Sequence, residues 1–185
     1  MLSFSIAPTT LAPEVTTRIN TAFRSEPTGQ TWLFSSQTNR IDIFSLEATL
    51  SILTSPSSIF LAATLPNTAE MIATCFLRKP AETVAQHISK GAAWLGFLAV
   101  KPAYHGQGYG KAMLQEAERF VREEWGAKRL EMDHVNARVE LGNWYRRCGY
   151  NATGKKRDFV YGDKGREIFA AGLELLVVGK DLVMN

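Results

Sequence analysis

At 185 residues the chain has the length of a single domain and can bury a real core. Its 45% hydrophobic and 21% charged residues are ordinary globular values, which exclude a disordered chain, and no stretch approaches the ~18 apolar residues of a membrane span. A formal net charge of +3, with Lys and Arg scattered along the sequence, gives no basis for nucleic-acid binding.

Leu2 to Ile6 forms a short apolar run that suits a first strand, ended by Pro8. From about Pro13, the residues Leu11, Val15, Ile19, Ala22 and Phe23 recur at helical spacing, and proline suits a first turn. Arg24 to Gln37 carries Pro27, Gly29 and small polar residues and reads as a loop, although its Trp32 and Phe34 call for burial. A weaker helical stripe, Leu46, Leu50 and Leu53, is closed by Pro56. Ile59 to Leu65 and Met71 to Leu77, separated by Pro66-Asn67, predict an antiparallel strand pair. Ala92 to Val100 is almost uniformly apolar, which predicts a strand covered on both faces at the centre of the sheet.

A helix from Gly108 to Trp125 places Met113, Ala117, Phe120 and Val121 on one face, pairs Glu118 with Arg122 on its surface, and stops at Gly126. A strand Arg129 to Val135, a helix Val139 to Cys148 ended by Gly149, and a late strand Leu173 to Val178 complete the order. The result is an α/β (α+β) fold built around one sheet, without internal repeats. The two cysteines, Cys75 and Cys148, lie far apart and lack zinc or redox spacing. Reduced thiols, no metal and a cytoplasmic location are therefore expected, and MLSFSIAPTT lacks the basic start and apolar stretch of a leader.

The segment Val100 to Lys111, VKPAYHGQGYGK, joins the buried strand to the amphipathic helix. Glycines at 106, 108 and 110 let the backbone turn so that N–H groups converge, and the helix start adds the positive end of its dipole. A pyrophosphate suits such a junction. A P-loop is excluded because His105 stands where its first glycine belongs and Ala112 replaces the magnesium-binding hydroxyl. A dinucleotide fingerprint is excluded because the loop is G-x-G-x-G. The structural alternative is a tight turn that binds nothing.

With His105, Gly108 and Gly110 at its key positions, the loop resembles the acetyl-CoA signature of the GNAT superfamily. His105 departs from the usual Gln or Arg of that pattern. A second likeness runs from Arg138 through Glu140, Leu141, Trp144 and Tyr145 to Gly149 and Tyr150, with Val139 in place of a proline. A weaker one covers Leu176 to Leu182. The two signatures lie between Ala92 and Tyr150, about a third of the chain, and two in the right order are more specific than either alone.

The resemblance implies a GNAT-like domain over 1–185 with its signature-bearing core over 57–185. Its sheet would be mixed, mostly antiparallel and splayed, with helices on both sides. It implies acetyl-CoA as co-substrate, bound by Leu98 and Val100 at the pantetheine, His105, Gly106, Gln107, Gly108, Tyr109, Gly110 and Lys111 at the pyrophosphate, and Asn136 nearby. It makes Tyr145 the acid that protonates the leaving thiolate, for which a phenol of pKa ~10 is suited. The alternative for Tyr145 is core packing with a satisfied hydroxyl.

A backbone N–H of Val100 or a neighbour would polarise the thioester carbonyl. The base is open: the central strand carries no acid, and Glu131, Asp133 and His134 on the next strand are the nearest groups, with packing or solvation as their alternatives. Cys148 has no evident activating partner. The expected function is acetyl transfer to a primary amine of a small molecule or peptide, gripped mainly by the loop Arg24 to Phe34 through Arg24, Glu26 and Trp32, with a solvated loop around one buried tryptophan as the alternative. The expected partners are acetyl-CoA and an amine acceptor, with no nucleic acid and no membrane, in a monomer or homodimer. A non-catalytic acyl-CoA-binding module of the same fold is the main rival, and a phosphate-anion or nucleotide binder is the third reading.

Overall fold

A computed structural model describes residues 2–24, 44–66, 68–82, 85–159 and 172–182. Seven strands are present among them: β1 (Ser3–Ile6), β2 (Ser58–Thr64), β3 (Met71–Arg78), β4 (Ala93–Val100), β5 (Arg129–Val135), β6 (Asn151–Asp158) and β7 (Glu174–Asp181). Four α-helices accompany them: α1 (Ala12–Arg24), α2 (Leu46–Leu53), α3 (Tyr109–Trp125) and α4 (Val139–Arg147). The sheet order is β1-β2-β3-β4-β5-β7-β6, so the uniformly apolar β4 does lie at the centre. All neighbours are antiparallel except β4 and β5. This is the mixed, mostly antiparallel sheet expected.

Strand alternation divides the core between two faces. Leu61, Cys75, Leu77, Leu95, Leu130 and Met132 pack with Met113, Leu114, Ala117 and Val121 of α3 and with Tyr145 of α4. Phe60, Ala62, Met71 and Ala99 point the other way, against Val15 and Ile19 of α1. The helix ends follow their residues. Ser45 caps α2 by accepting from Ala48 N–H at 3.0 Å. Gly126, with φ of 62°, closes α3 by donating to the carbonyl of Arg122 at 3.1 Å.

The joint between β4 and β5 is the irregular part of the sheet. Their parallel pairing consists of Ala93 with Leu130 and Trp94 with Glu131. On the other side of β4, Phe76 faces Gly96 while Thr74 faces Ala99, so β4 carries one residue more than β3 over that stretch. This is a β-bulge, and Phe97 at its centre has φ of 49°, in the left-handed region that bulky residues rarely occupy. Gly96 and Phe97 consequently face the same side. A Cβ on Gly96 would stand 3.2 Å from Cδ1 of Phe76, and the Phe97 ring packs at 6.3 Å from that of Phe76. Beyond Trp94 the two strands part, and the sheet splays.

Three expectations need correction. β6 was not anticipated, because NATGKKRD is an edge strand with mostly exposed residues and no apolar alternation to reveal it. In α2 two residues of the stripe, Leu46 and Leu50, are exposed while Leu53 packs against the core and Thr49 is fully buried. Thr49 can go inward because its hydroxyl bonds to the carbonyl of Ser45 at 3.1 Å and to Thr16 Oγ1 at 2.6 Å. Glu118 does not pair with Arg122, which instead meets Glu123 at 3.0 Å. Glu118 accepts from Lys180 Nζ at 2.7 Å and from the buried Tyr150 hydroxyl at 3.1 Å, tying α3 to β7 and to the end of α4.

Removing that carboxylate leaves the buried Tyr150 phenol without its acceptor and the Lys180 ammonium with the Cys148 carbonyl but no counter-charge in its place. Glu118→Ala is expected to cost about 2–3 kcal/mol in urea denaturation, whereas Glu123→Ala, on the exposed side of the same helix, leaves the midpoint nearly unchanged. Equal small effects would show that the clamp contributes little.

Candidate active site

After β4 the chain makes a short 3-10 turn at Pro102–Tyr104 and then enters the glycine loop. Gly106 and Gly108 have φ of 76° and 83°, and neither has a neighbour within 4 Å of where a Cβ would stand. Gly108 is the N-cap of α3, whose first internal bond runs from Ala112 N–H to the Gly108 carbonyl at 3.0 Å. The N–H groups of Tyr109, Gly110 and Lys111 precede that bond and have no partner within the helix. They open on a depression of about 360 Å³ lined by Val100, Tyr104, His105, the three loop glycines, Lys111 and Trp144. Free N–H groups, a helix start and an open glycine backbone fit a pyrophosphate.

Two side chains of the loop brace it. His105 Nε2 lies 2.9 Å from the Val100 carbonyl. Gln107 Nε2 donates to the Ala103 carbonyl at 3.2 Å. The imidazole therefore fastens the loop to the end of β4, and the cradle itself is backbone.

Leu98 and Val100 follow the bulge and pack on the α3 and α4 side, in the same cluster as Tyr145 and Trp144. Tyr145 is 5% exposed, and its ring lies 5.0 Å from that of Trp144 and 6.1 Å from those of Tyr150 and His134. Its hydroxyl makes no hydrogen bond among the described residues, nor is it one of the sealed-off polar atoms without a partner. Burial, reinforced by the negative charge of Asp133, pushes this phenol well above its usual range, so it stays protonated at neutral pH.

Asn136 does not line the depression. Its amide donates to the Gly172 carbonyl at 3.0 Å and accepts from Glu174 N–H at 3.2 Å, which ties the end of β5 to the start of β7. The expected acceptor residues Glu26 and Trp32 lie outside the described residues, as does the side chain of Arg24.

The three groups considered for the base sit in different surroundings. Glu131 is fully buried, accepting from Arg129 Nε at 2.6 Å and from Ser89 N–H at 2.7 Å. Those bonds outweigh the opposing effect of burial and hold its carboxyl below the ordinary range. His134 turns to the helix side, 3.1 Å from the Val135 carbonyl and against Gly142. Asp133 is half-buried beyond the last β4–β5 pair and meets Arg157 Nε at 2.7 Å. That arginine comes from the unanticipated β6, so the sequence offered no sign of the pair. Gly96, inside an otherwise apolar strand, was the one available sign of the bulge.

The two thiols are free. Cys75 is buried, and burial alone pushes it up, away from reactivity; Cys148 is half-buried. No group of His, Cys, Asp and Glu among the described residues could hold a metal ion, and none of the described helices is long and apolar enough to cross a membrane.

A model of the Acetyltransferase (GNAT) family matches residues 19–150, well over half of the sequence. The chain belongs to that family and is an acyltransferase. Solved structures agree in fold. The ribosomal-protein-S18-alanine N-acetyltransferase from Escherichia coli superposes with a TM-score of 0.67 at 17% identity, over 100% of this chain and 96% of that one. An acetyltransferase of the GNAT family from Streptococcus pneumoniae gives 0.65 at 16% identity, over 99% and 100%. A protein from Bacillus anthracis str. Ames, solved in complex with acetyl coenzyme A, gives 0.53 at 18% identity, over 71% of this chain and 66% of that one. No curated protein matches the sequence.

Gly108→Val places a β-branched residue at a left-handed N-cap and a side chain over the cradle. Coenzyme A affinity, measured by calorimetry, is expected to fall at least about tenfold, the equivalent of roughly one charge-assisted hydrogen bond. Unchanged affinity would place the anion site elsewhere.

Proposed function

We propose that this protein transfers the acetyl group of acetyl-CoA directly to a primary amine in the cytoplasm. The observation that carries the reading is the splayed joint of β4 and β5, which has the glycine cradle at its mouth and Tyr145 packed beside Leu98 and Val100. Acetyl-CoA, when bound, supplies a thioester activated for attack. Gly106 to Lys111 hold its pyrophosphate by backbone N–H groups, and the strand backbone at Leu98 and Val100 holds the pantetheine arm. Past Trp94 no β5 residue competes for the β4 edge that faces the opening, so a bulge N–H there is available to polarise the carbonyl.

Asp133 is the base in this reading. It is the first residue on its face of β5 beyond the last pair with β4, whereas Glu131 is consumed by Arg129 and Ser89 and His134 faces the other side. Asp133 removes one proton from the acceptor ammonium and passes it to solvent, and the amine nitrogen bonds to the acetyl carbon. The carbon–sulfur bond breaks as Tyr145 gives its proton to the departing sulfur, and the nitrogen's second proton, lost as the amide forms, returns through water to the Tyr145 oxygen. Burial keeps that proton on the phenol at neutral pH. The rival reading, a non-catalytic acyl-CoA-binding module, drew on His105 and on the lack of an acid on β4. His105 serves as a loop brace, and Asp133 supplies an acid from the neighbouring strand. Both observations favour catalysis.

Tyr145→Phe is expected to lower kcat by ~10²–10⁴-fold, with acetyl-CoA affinity nearly intact because the ring remains. Unchanged turnover, with chemistry rate-limiting, would return Tyr145 to core packing. Asp133→Asn is expected to reduce kcat/KM by ~10²-fold or more in a thiol-release assay. A variant as active as the parent would remove Asp133 from the role of base.

A further inference from the structure

Around Asp133, among the described residues, the sheet face opposite α3 carries more positive than negative charge. Arg157 of β6 meets Asp133 at 2.7 Å. Lys155, two residues back on the same strand, reaches across to the Ser89 hydroxyl of the β3–β4 loop at 3.2 Å, so its charge is set against a neutral group. Arg78, at the end of β3, is the register partner of Trp94 and shares its face, and His87 packs edge-on against Trp94 at 5.3 Å. Among the described residues, the charged side chains acting most strongly on His87 are the cations Arg157, Arg78 and Lys155 and the carboxylate Asp133. Glu131 on this face adds nothing to the acidic side, being neutralised by Arg129.

This balance is unsuited to a bare alkylamine or a polyamine, whose cations three basic side chains would repel. It suits an acceptor that brings its own negative charge. Resting on the acetyl-transfer reading, we infer that the acceptor is an amine bearing a carboxylate close to its nitrogen. Its ammonium group is set at Asp133 and its carboxylate at Arg157, with Arg78 and Lys155 adding positive potential. The adjacent Asp133 and Arg157 side chains present one negative and one positive group to the same space, the complement of a zwitterion. A guanidinium has five donors in a planar fork, more than a single carboxylate oxygen occupies, so Arg157 can take a second carboxylate. Phe76 and Phe97, half-buried on this face with ring centroids 6.3 Å apart, offer the carbon skeleton an apolar wall.

The test uses the full chain, acetyl-CoA and a thiol-release assay against the common amino acids, their decarboxylated amines and spermidine. At least one amino acid is expected to exceed its decarboxylated counterpart about tenfold or more in kcat/KM, as expected for one charge-assisted contact. Arg157→Gln is expected to raise the KM of that amino acid about tenfold while leaving the KM of acetyl-CoA unchanged, with part of the loss restored in Arg157→Lys. Arg78→Gln, at a different strand, is expected to act in the same direction more weakly. Equal or better turnover of the decarboxylated amines or of spermidine overturns the inference and leaves acetyl transfer standing. Equal losses in Arg157→Gln for carboxylated and decarboxylated acceptors also overturn it, by reducing Arg157 to a structural role. Turnover of none of these amines, with coenzyme A still bound, overturns the inference and leaves acetyl transfer to a different amine standing.

Discussion

The single extra residue in β4 is the constraint on which the site depends. Holding Phe97 at φ of 49° costs on the order of 1–3 kcal/mol, and such a conformation persists only where its surroundings over-determine it. Here those surroundings are aromatic: the Phe97 ring is 4.6 Å from Phe44, 6.3 Å from Phe76 and 6.5 Å from Phe23. Packing on the α1 side of the sheet thus fixes a backbone distortion whose effect is felt between β4 and β5. A regular β4 would keep its ladder with β5 and leave no opening. With the bulge, the strands part, Leu98 and Val100 turn to the α3 and α4 side, and Asp133 is left without a paired neighbour on β4.

The opening has two unlike sides. Toward α3 and α4 the useful groups are backbone N–H groups and a phenol, supported by apolar packing. Toward β6 and the β3–β4 loop they are charged side chains held by ion pairs. A large, invariant co-substrate suits the first kind of surface, because backbone geometry does not depend on which side chains drift. An acceptor that defines one enzyme among many of like fold suits the second.

What the sequence revealed follows the same division. β4 and α3 were legible because a buried strand and a two-faced helix write their surroundings directly into apolar spacing, and the glycine loop because positive φ restricts residue choice. β6 was invisible, since NATGKKRD packs little and is held by pairing with β7 instead. The Asp133–Arg157 contact was hidden with it. Glu118 and Arg122 have the spacing of a helix pair, yet Lys180, 62 residues away in sequence, takes the carboxylate. Thr49 displaced part of the apolar stripe of α2 because a hydroxyl satisfied by its own helix is cheap to bury. Local spacing reports local partners, and each of these partners is distant.

The clamp on Glu118 also bears on motion. It joins α3, whose first turn forms the cradle, to Tyr150, which caps α4 by donating its N–H to the Tyr145 carbonyl at 3.1 Å, and to β7 through Lys180. α3 and α4 are therefore mechanically coupled through these bonds. In the proposed reaction, acetyl-CoA docking at the cradle would meet a preset distance to Tyr145, with little reorganisation left for the chemical step. Compliance then falls to the opposite wall, where single ion pairs and a loop can yield to acceptors of different shape without disturbing the alignment of the reacting groups.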